Sequence, residues 1–163
     1  GATMASETTA AATGAVGVVR RDPMAMLPFC GYNMGEYFQH WLEMGKKIPN
    51  PPKIFNVNWF RVDEEGHFIW PGFGENLRAL IWALERCEGT AGAVETPLGF
   101  VPTEDDLDLD GLDIDGQKLR SILTVDRDDW KKELEGIEKW YSKFDHMPQE
   151  LLDSLKKLEE DLK

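Results

Sequence analysis

Positive charge is what this chain has least of. Lys and Arg number 18 against 30 Asp and Glu, which leaves 163 residues with a net charge of −12 at pH 7. So acidic a surface cannot neutralise a run of phosphates, which excludes nucleic-acid binding, and it is repelled by anionic headgroups, which excludes attachment to a charged membrane surface. Long apolar runs are missing as well. No stretch approaches the roughly 20 residues that span a bilayer, and the Ala-rich start lacks the charged and apolar regions of a secretory signal. Cysteine is scarce: Cys30 and Cys87 stand far apart, in no C-x-x-C spacing. Two free, buried thiols in a reducing compartment are the expectation, and the cytoplasm fits it best. His40, His67 and His146 show no metal-ligand spacing and read as surface or internally satisfied histidines. No G-x-x-x-x-G-K-S/T phosphate loop occurs.

Aromatic side chains, by contrast, are concentrated. Phe55, Trp59, Phe60, Phe68, Trp70 and Phe73 all fall within Lys53 to Asn76. Lys53 to Asn58 alternates in the manner of a strand, Asp63-Glu64-Glu65-Gly66 predicts a turn, and His67 to Trp70 predicts a short returning strand. Pro71-Gly72 interrupts it, and a helix is expected from about Gly74. Such a cluster serves either as core or as a stacking surface for a flat heteroaromatic ligand. Glycines on both sides of Phe73 permit the close backbone approach that a ligand needs, and Asn58 and Asn76 offer hydrogen bonds to a base edge.

Around this stretch the chain divides by pattern. Residues 1–17 are nearly all small, with too little apolar side chain to hold one conformation unaided. They read as a gating loop or a frayed end. Val16 to Arg20 predicts a short strand. Asn33 predicts a helix N-cap in a box with Glu36, ahead of an apolar face of Met34, Tyr37, Phe38, Trp41 and Leu42 that Gly45 ends. Leu77, Leu80, Ile81 and Leu84 repeat at helical spacing and read as core, with a stop at Gly89. Thr96 to Pro102 predicts one extended strand. Asp106-x-Asp108-x-Asp110-Gly111 matches the first half of a calcium loop, but Leu112 and Gln117 stand where further ligands belong. An extended segment that packs Leu107, Leu109, Leu112 and Ile114 while its aspartates face water is the simpler reading. Two packing helices, 126–163 in all, close the chain: one with Trp130, Leu134, Ile137, Tyr141 and Phe144, with Glu135–Lys139 paired outside, and one with Leu151, Leu152, Leu155, Leu158 and Leu162, opened by Pro148.

The string N-W-F-R-x-D-x-x-G-x-F-x-W-P-G-F-G-E-N resembles the guanine-binding segment of the GTP-dependent phosphoenolpyruvate carboxykinases. S-E-T-T-A-A-A, D-P-M-A-M-L-P-F-C-G-Y-N-M-G-E-Y-F-Q-H-W, T-P-L-G-F-V-P and D-L-D-L-D-G-L continue the resemblance collinearly. It implies a mixed α/β fold, the C-terminal part of that family's nucleotide-binding domain, with short strands and about four helices across residues 1–163. It implies that 53–76 is the guanine pocket, with Trp59, Phe60, Phe68 and Phe73 as aromatic surfaces and Asn76 as polar reader, braced by Trp70 and Pro71. It implies that 1–17 holds an active-site lid through Glu7, Thr8, Thr9, Ala10, Ala11 and Ala12. The reaction implied interconverts oxaloacetate and GTP with phosphoenolpyruvate, carbon dioxide and GDP, at the entry to gluconeogenesis, in a monomer that uses Mn2+ or Mg2+. The phosphate loop, metal ligands and substrate-gripping arginines are expected upstream, so the chain reads as a C-terminal piece, inactive alone. A guanine-nucleotide-binding fragment without catalysis, or a proteolytic remnant, is the alternative.

Overall fold

A computed structural model of the chain describes residues 26–163 apart from Pro28. The lid and the 16–20 strand lie outside the described residues. The chain separates into two compact units, one comprising residues up to Pro51 together with Asp128–Lys163, the other Pro52–Arg127.

The first unit is helical. Helix α1 spans Met34–Lys47, and the Asn33 side chain accepts from the Gly35 N–H at 2.8 Å, the cap its sequence predicts. The expected partner Glu36 points elsewhere, its Oε1 lying 3.0 Å from His146 Nδ1. Gly45 does not end the helix. Lys46 and Lys47 favour the negative C-terminal end of the helix dipole, and Lys46 Nζ meets Glu150 at 2.5 Å, so the last turn persists to the Ile48 cap. Met34 and Phe38 form the core with Trp140, ringed by Tyr37, Tyr141, Phe144, Met147 and Leu151. Phe38 and Trp140 lie 5.8 Å apart between centroids, and Trp140 meets Phe144 edge-on at 4.8 Å. Gly35 permits the approach: a Cβ there would sit 2.4 Å from the His146 carbonyl oxygen. After α1 in this unit comes the helix Arg127–Tyr141, whose first residue belongs to the second unit, and then Gln149–Asp161, led by Pro148. Ion pairs on the former join Asp128 to Lys131 and Asp129 to Lys132, about two turns before the expected Glu135–Lys139.

The second unit carries helix α2, Asn76–Glu88, entered through a 3-10 turn at Phe73–Glu75 and closed by Gly89 at φ 78°. A hairpin follows, β1 Val94–Thr96 against β2 Gly99–Val101, antiparallel with Val94 opposite Val101 and Thr96 opposite Gly99. Thr96 to Pro102 is therefore a turn and one strand. Pro97 and Leu98 form a two-residue loop, completed by Gly99 at φ 107°. The acidic stretch leads into a short helix, α3, Gly116–Leu123, which buries Leu119 and which leucine spacing alone did not reveal. Helices α4 (Arg127–Tyr141) and α5 (Gln149–Asp161) complete the numbering. Mixed α/β architecture is thus observed: four long helices, one short one and a two-stranded sheet among the described residues.

Two strand expectations fail. Lys53 to Asn58 is exposed and joins no ladder among the described residues: what holds it is side-chain contact, Lys53 Nζ donating to the Arg86 carbonyl at 2.7 Å, without the row of backbone bonds a strand needs. His67 to Trp70 contributes a single bridge, Val62 opposite Phe68. The core reading of Leu77, Leu80, Ile81 and Leu84 fails too: all four are exposed, and α2 buries Trp82 instead. The Trp82 indole donates to the Gly92 carbonyl at 3.1 Å, and Phe55 stands edge-on to it at 5.9 Å. Cys30 is half-buried and Cys87 exposed, against the expectation of two buried thiols. Exposed histidines are found as expected.

Candidate functional site

The aromatic segment lies wholly within the second unit. Its turn is set by Asp63, whose Oδ1 accepts from the Glu65 N–H at 3.1 Å and the His67 N–H at 2.9 Å, while Gly66 takes φ 85°. The His67 N–H, then that of Glu65, holds the Asp63 carboxyl below the ordinary aspartate range. The turn brings Phe68 back toward Phe60, with ring centroids 6.0 Å apart. Those two rings keep 58% and 43% of their surface in solvent. They pair with one another without entering a core.

Beneath them lies a bracing layer. Trp70 is buried and tilts against half-buried Trp59 at 6.2 Å. Its indole N–H donates to Asn76 Oδ1 at 3.0 Å. An indole nitrogen can only donate, so this bond fixes which end of the Asn76 amide faces Trp70 and directs the two N–H donors of Nδ2 away from it. Asn58 is committed differently: its Oδ1 accepts from the Phe60 N–H at 3.0 Å. The asparagines therefore divide their labour, Asn58 shaping the loop and Asn76 presenting donors.

Phe73 follows Trp70 by three residues. It opens the 3-10 turn after Gly72, which sits at φ 137° where side chains are strained. The Phe73 ring is 91% exposed. Burying a phenylalanine stabilises a fold by ~1.5–3 kcal/mol, and this one forgoes that gain three residues before Asn76, whose amide Trp70 holds.

Arg78 was not legible as part of this site. Its Nε donates to Glu75 at 2.6 Å, Nη1 to the Asp108 carbonyl at 2.6 Å and Nη2 to the Asp110 carbonyl at 2.8 Å. The pairing with Glu75 raises its already high pKa. Those carbonyls face a guanidinium, so the half-match to a calcium loop is explained as an arginine-anchored turn. A usable signal existed: an acidic stretch without a basic residue needs a cation from elsewhere, and Arg78 stands three residues after Glu75 at a helix start. Among the described residues no three His, Cys, Asp or Glu side chains converge to hold a metal ion, and no helix is long and apolar enough to cross a membrane.

The profile of the phosphoenolpyruvate carboxykinase C-terminal P-loop domain, in its GTP-dependent form, matches residues 1–161. The chain belongs to the GTP-dependent phosphoenolpyruvate carboxykinase family. A phosphoenolpyruvate carboxykinase (GTP) from Renibacterium salmoninarum is 58% identical over 99% of this chain and 27% of its own length. Proteins of the same name from Chlamydia trachomatis and Thermoplasma volcanium are 52% and 50% identical, over 100% and 93% of the chain and 28% and 26% of theirs. The chain thus spans about a quarter of the curated carboxykinases it matches.

Proposed function

We propose that this chain supplies the guanine-recognition surface and the active-site lid of a GTP-dependent phosphoenolpyruvate carboxykinase. In that enzyme oxaloacetate loses carbon dioxide to give an enolate, whose oxygen takes the γ-phosphoryl group of GTP, leaving GDP. The observation that carries the reading is the pairing of an uncovered Phe73 ring with an Asn76 amide whose orientation Trp70 dictates. Phe73, with Phe60 and Phe68, offers faces on which a purine stacks, a contact worth ~1–3 kcal/mol for any base. The outward Nδ2 of Asn76 supplies selectivity. Guanine presents O6 as an acceptor, whereas adenine presents an amino donor there, which would oppose another donor.

A divalent Mn2+ or Mg2+ would stabilise the charge on the phosphates and the enolate. Its ligands do not come from the described residues, and we assign them, with the phosphate loop, to the remainder of the family's length. Glu7 to Ala12 are assigned to the lid from the resemblance. The enzyme is placed in the cytoplasm as a monomer, acting at the entry to gluconeogenesis. The test is tryptophan fluorescence under titration with GTP, GDP and ATP. Trp59 and Trp70 lie against the site, so guanine nucleotides should quench emission selectively. Equal responses to GTP and ATP would remove the assignment of Asn76, and a Phe73→Ala chain that binds like wild type would remove the stacking surface.

A further inference from the structure

We infer that Arg78 is a positioning residue for guanine recognition, tying the acidic loop to the turn that presents Phe73 and Asn76. The inference rests on the base-site reading above and adds a residue to it. The turn at Phe73–Glu75 has two neighbours that fix it. On one side Trp70 holds Asn76. On the other, Arg78, in the first turn of α2, grips Glu75, the last residue of the turn that Phe73 opens and the one before Asn76.

Arg78 has a firm anchor for that grip. The carbonyls of Asp108 and Asp110 accept its two terminal nitrogens, and the Asp108 carboxylate lies 3.6 Å away. The loop that offers them is itself tied: the Asp110 N–H donates to Asp108 Oδ1 at 3.0 Å, the Leu112 N–H to the Leu109 carbonyl at 3.0 Å, and Gly111 takes φ 69°. Leu107, Leu109 and Leu112 are half-buried, so the loop is packed as well as bonded. The Arg78 side chain is 18% exposed, unlike a solvated surface pair. A guanidinium is a planar fork that can bond three acceptors at fixed angles, which a lysine ammonium on a flexible stem cannot reproduce. Phe73 has no covering contact of its own, so its ring goes where the backbone of this turn puts it.

The test uses a carboxykinase of full family length that carries this sequence as its C-terminal segment. Arg78→Ala should raise the KM for GTP about tenfold, as expected when most of one base-stacking contact is lost, while kcat and the KM for oxaloacetate stay within about twofold. Arg78→Lys keeps the charge without the fork and should show an intermediate KM. A merely structural role would lower active enzyme, and so kcat, without moving the KM for GTP; that result overturns the inference. Arg78→Lys matching wild type overturns it too, since charge alone would then suffice. Phe73→Ala, assayed alongside, separates the two readings: if it raises the KM for GTP and the Arg78 variants do not, only the positioning role falls. If Phe73→Ala is also without effect, the base site falls with it.

Discussion

In the proposed base site, one hydrogen bond converts Asn76 from an ambiguous side chain into a selective one. Because Trp70 occupies Oδ1, replacing Asn76 with Asp keeps that acceptor and turns the outward donors into an oxygen. Asn76→Asp should therefore leave the fold intact and cut the preference for GTP over ATP by roughly 10- to 100-fold, the range of ~1–3 kcal/mol for a base-edge contact. Competition binding with the two nucleotides measures it, and an unchanged ratio counts against the role. Gly35 makes a prediction of a different kind. Any side chain there meets the backbone of His146, which cannot swing aside. Gly35→Ala should cost ~1–3 kcal/mol, the range for overpacking a core, read as a lower denaturant midpoint. At this scale the sequence was informative where chemistry is local. The Asn33 cap and the Gly66 turn could be read from residue type and spacing. Arg78 was legible only in part: the acidic stretch asks for a cation, but the partners at Asp108 and Asp110 are 30 and 32 residues away and are backbone carbonyls, which carry no residue signature.

Among elements, the turns are better determined than the strands. Asp63 holds the 63–67 turn through two backbone N–H groups, and Asp106 accepts from the Thr103 N–H at 2.8 Å and its hydroxyl at 2.7 Å. In both cases hydrogen bonds to the charged form, the backbone N–H foremost, depress the carboxyl pKa in the folded state. A depressed folded pKa gives stability that is present above the unfolded value, about 3.9, and is lost as pH falls through the folded one. The amides of Glu65 and His67 should thus lose hydrogen-exchange protection below about pH 4, and Asp63→Asn should remove that acid dependence. Protection unchanged down to pH 2 in the parent chain would contradict it. The positions of the four long helices followed from apolar spacing, that of α3 did not, and neither did the face of α2 that packs. Leu77, Leu80, Ile81 and Leu84 form the regular stripe, yet Trp82 is the side chain that turns inward, because its ring and its N–H both find partners at Phe55 and Gly92. Periodicity says that a helix has a face; it does not say what lies opposite. The strand at Lys53 to Asn58 failed for the same reason, since alternation describes a chain that could pair and contains nothing about a neighbour.

At the scale of the whole molecule, the uncovered stripe on α2 agrees with a chain that spans about a quarter of its relatives. The isolated 163-residue chain should bind an apolar dye, and Leu80→Glu with Leu84→Glu should reduce that binding. Carboxykinase turnover should be absent from it, because phosphate loop and metal ligands are assigned elsewhere; any turnover by the pure chain would refute that assignment. The division into units carries one more consequence, for the order of events on the ribosome. Pro52–Arg127 is continuous, so all its segments are present once Arg127 has emerged, whereas the first unit joins segments from both sides of it. Lys46 and Glu150, which meet in that unit, are 104 residues apart. At synthesis rates of about 5–20 residues per second, α1 waits roughly 5–20 seconds for its partners. Throughout that interval Met34 and Phe38 lack Trp140, Phe144, Met147 and Leu151, and the nascent chain should offer chaperones apolar surface that these later residues cover.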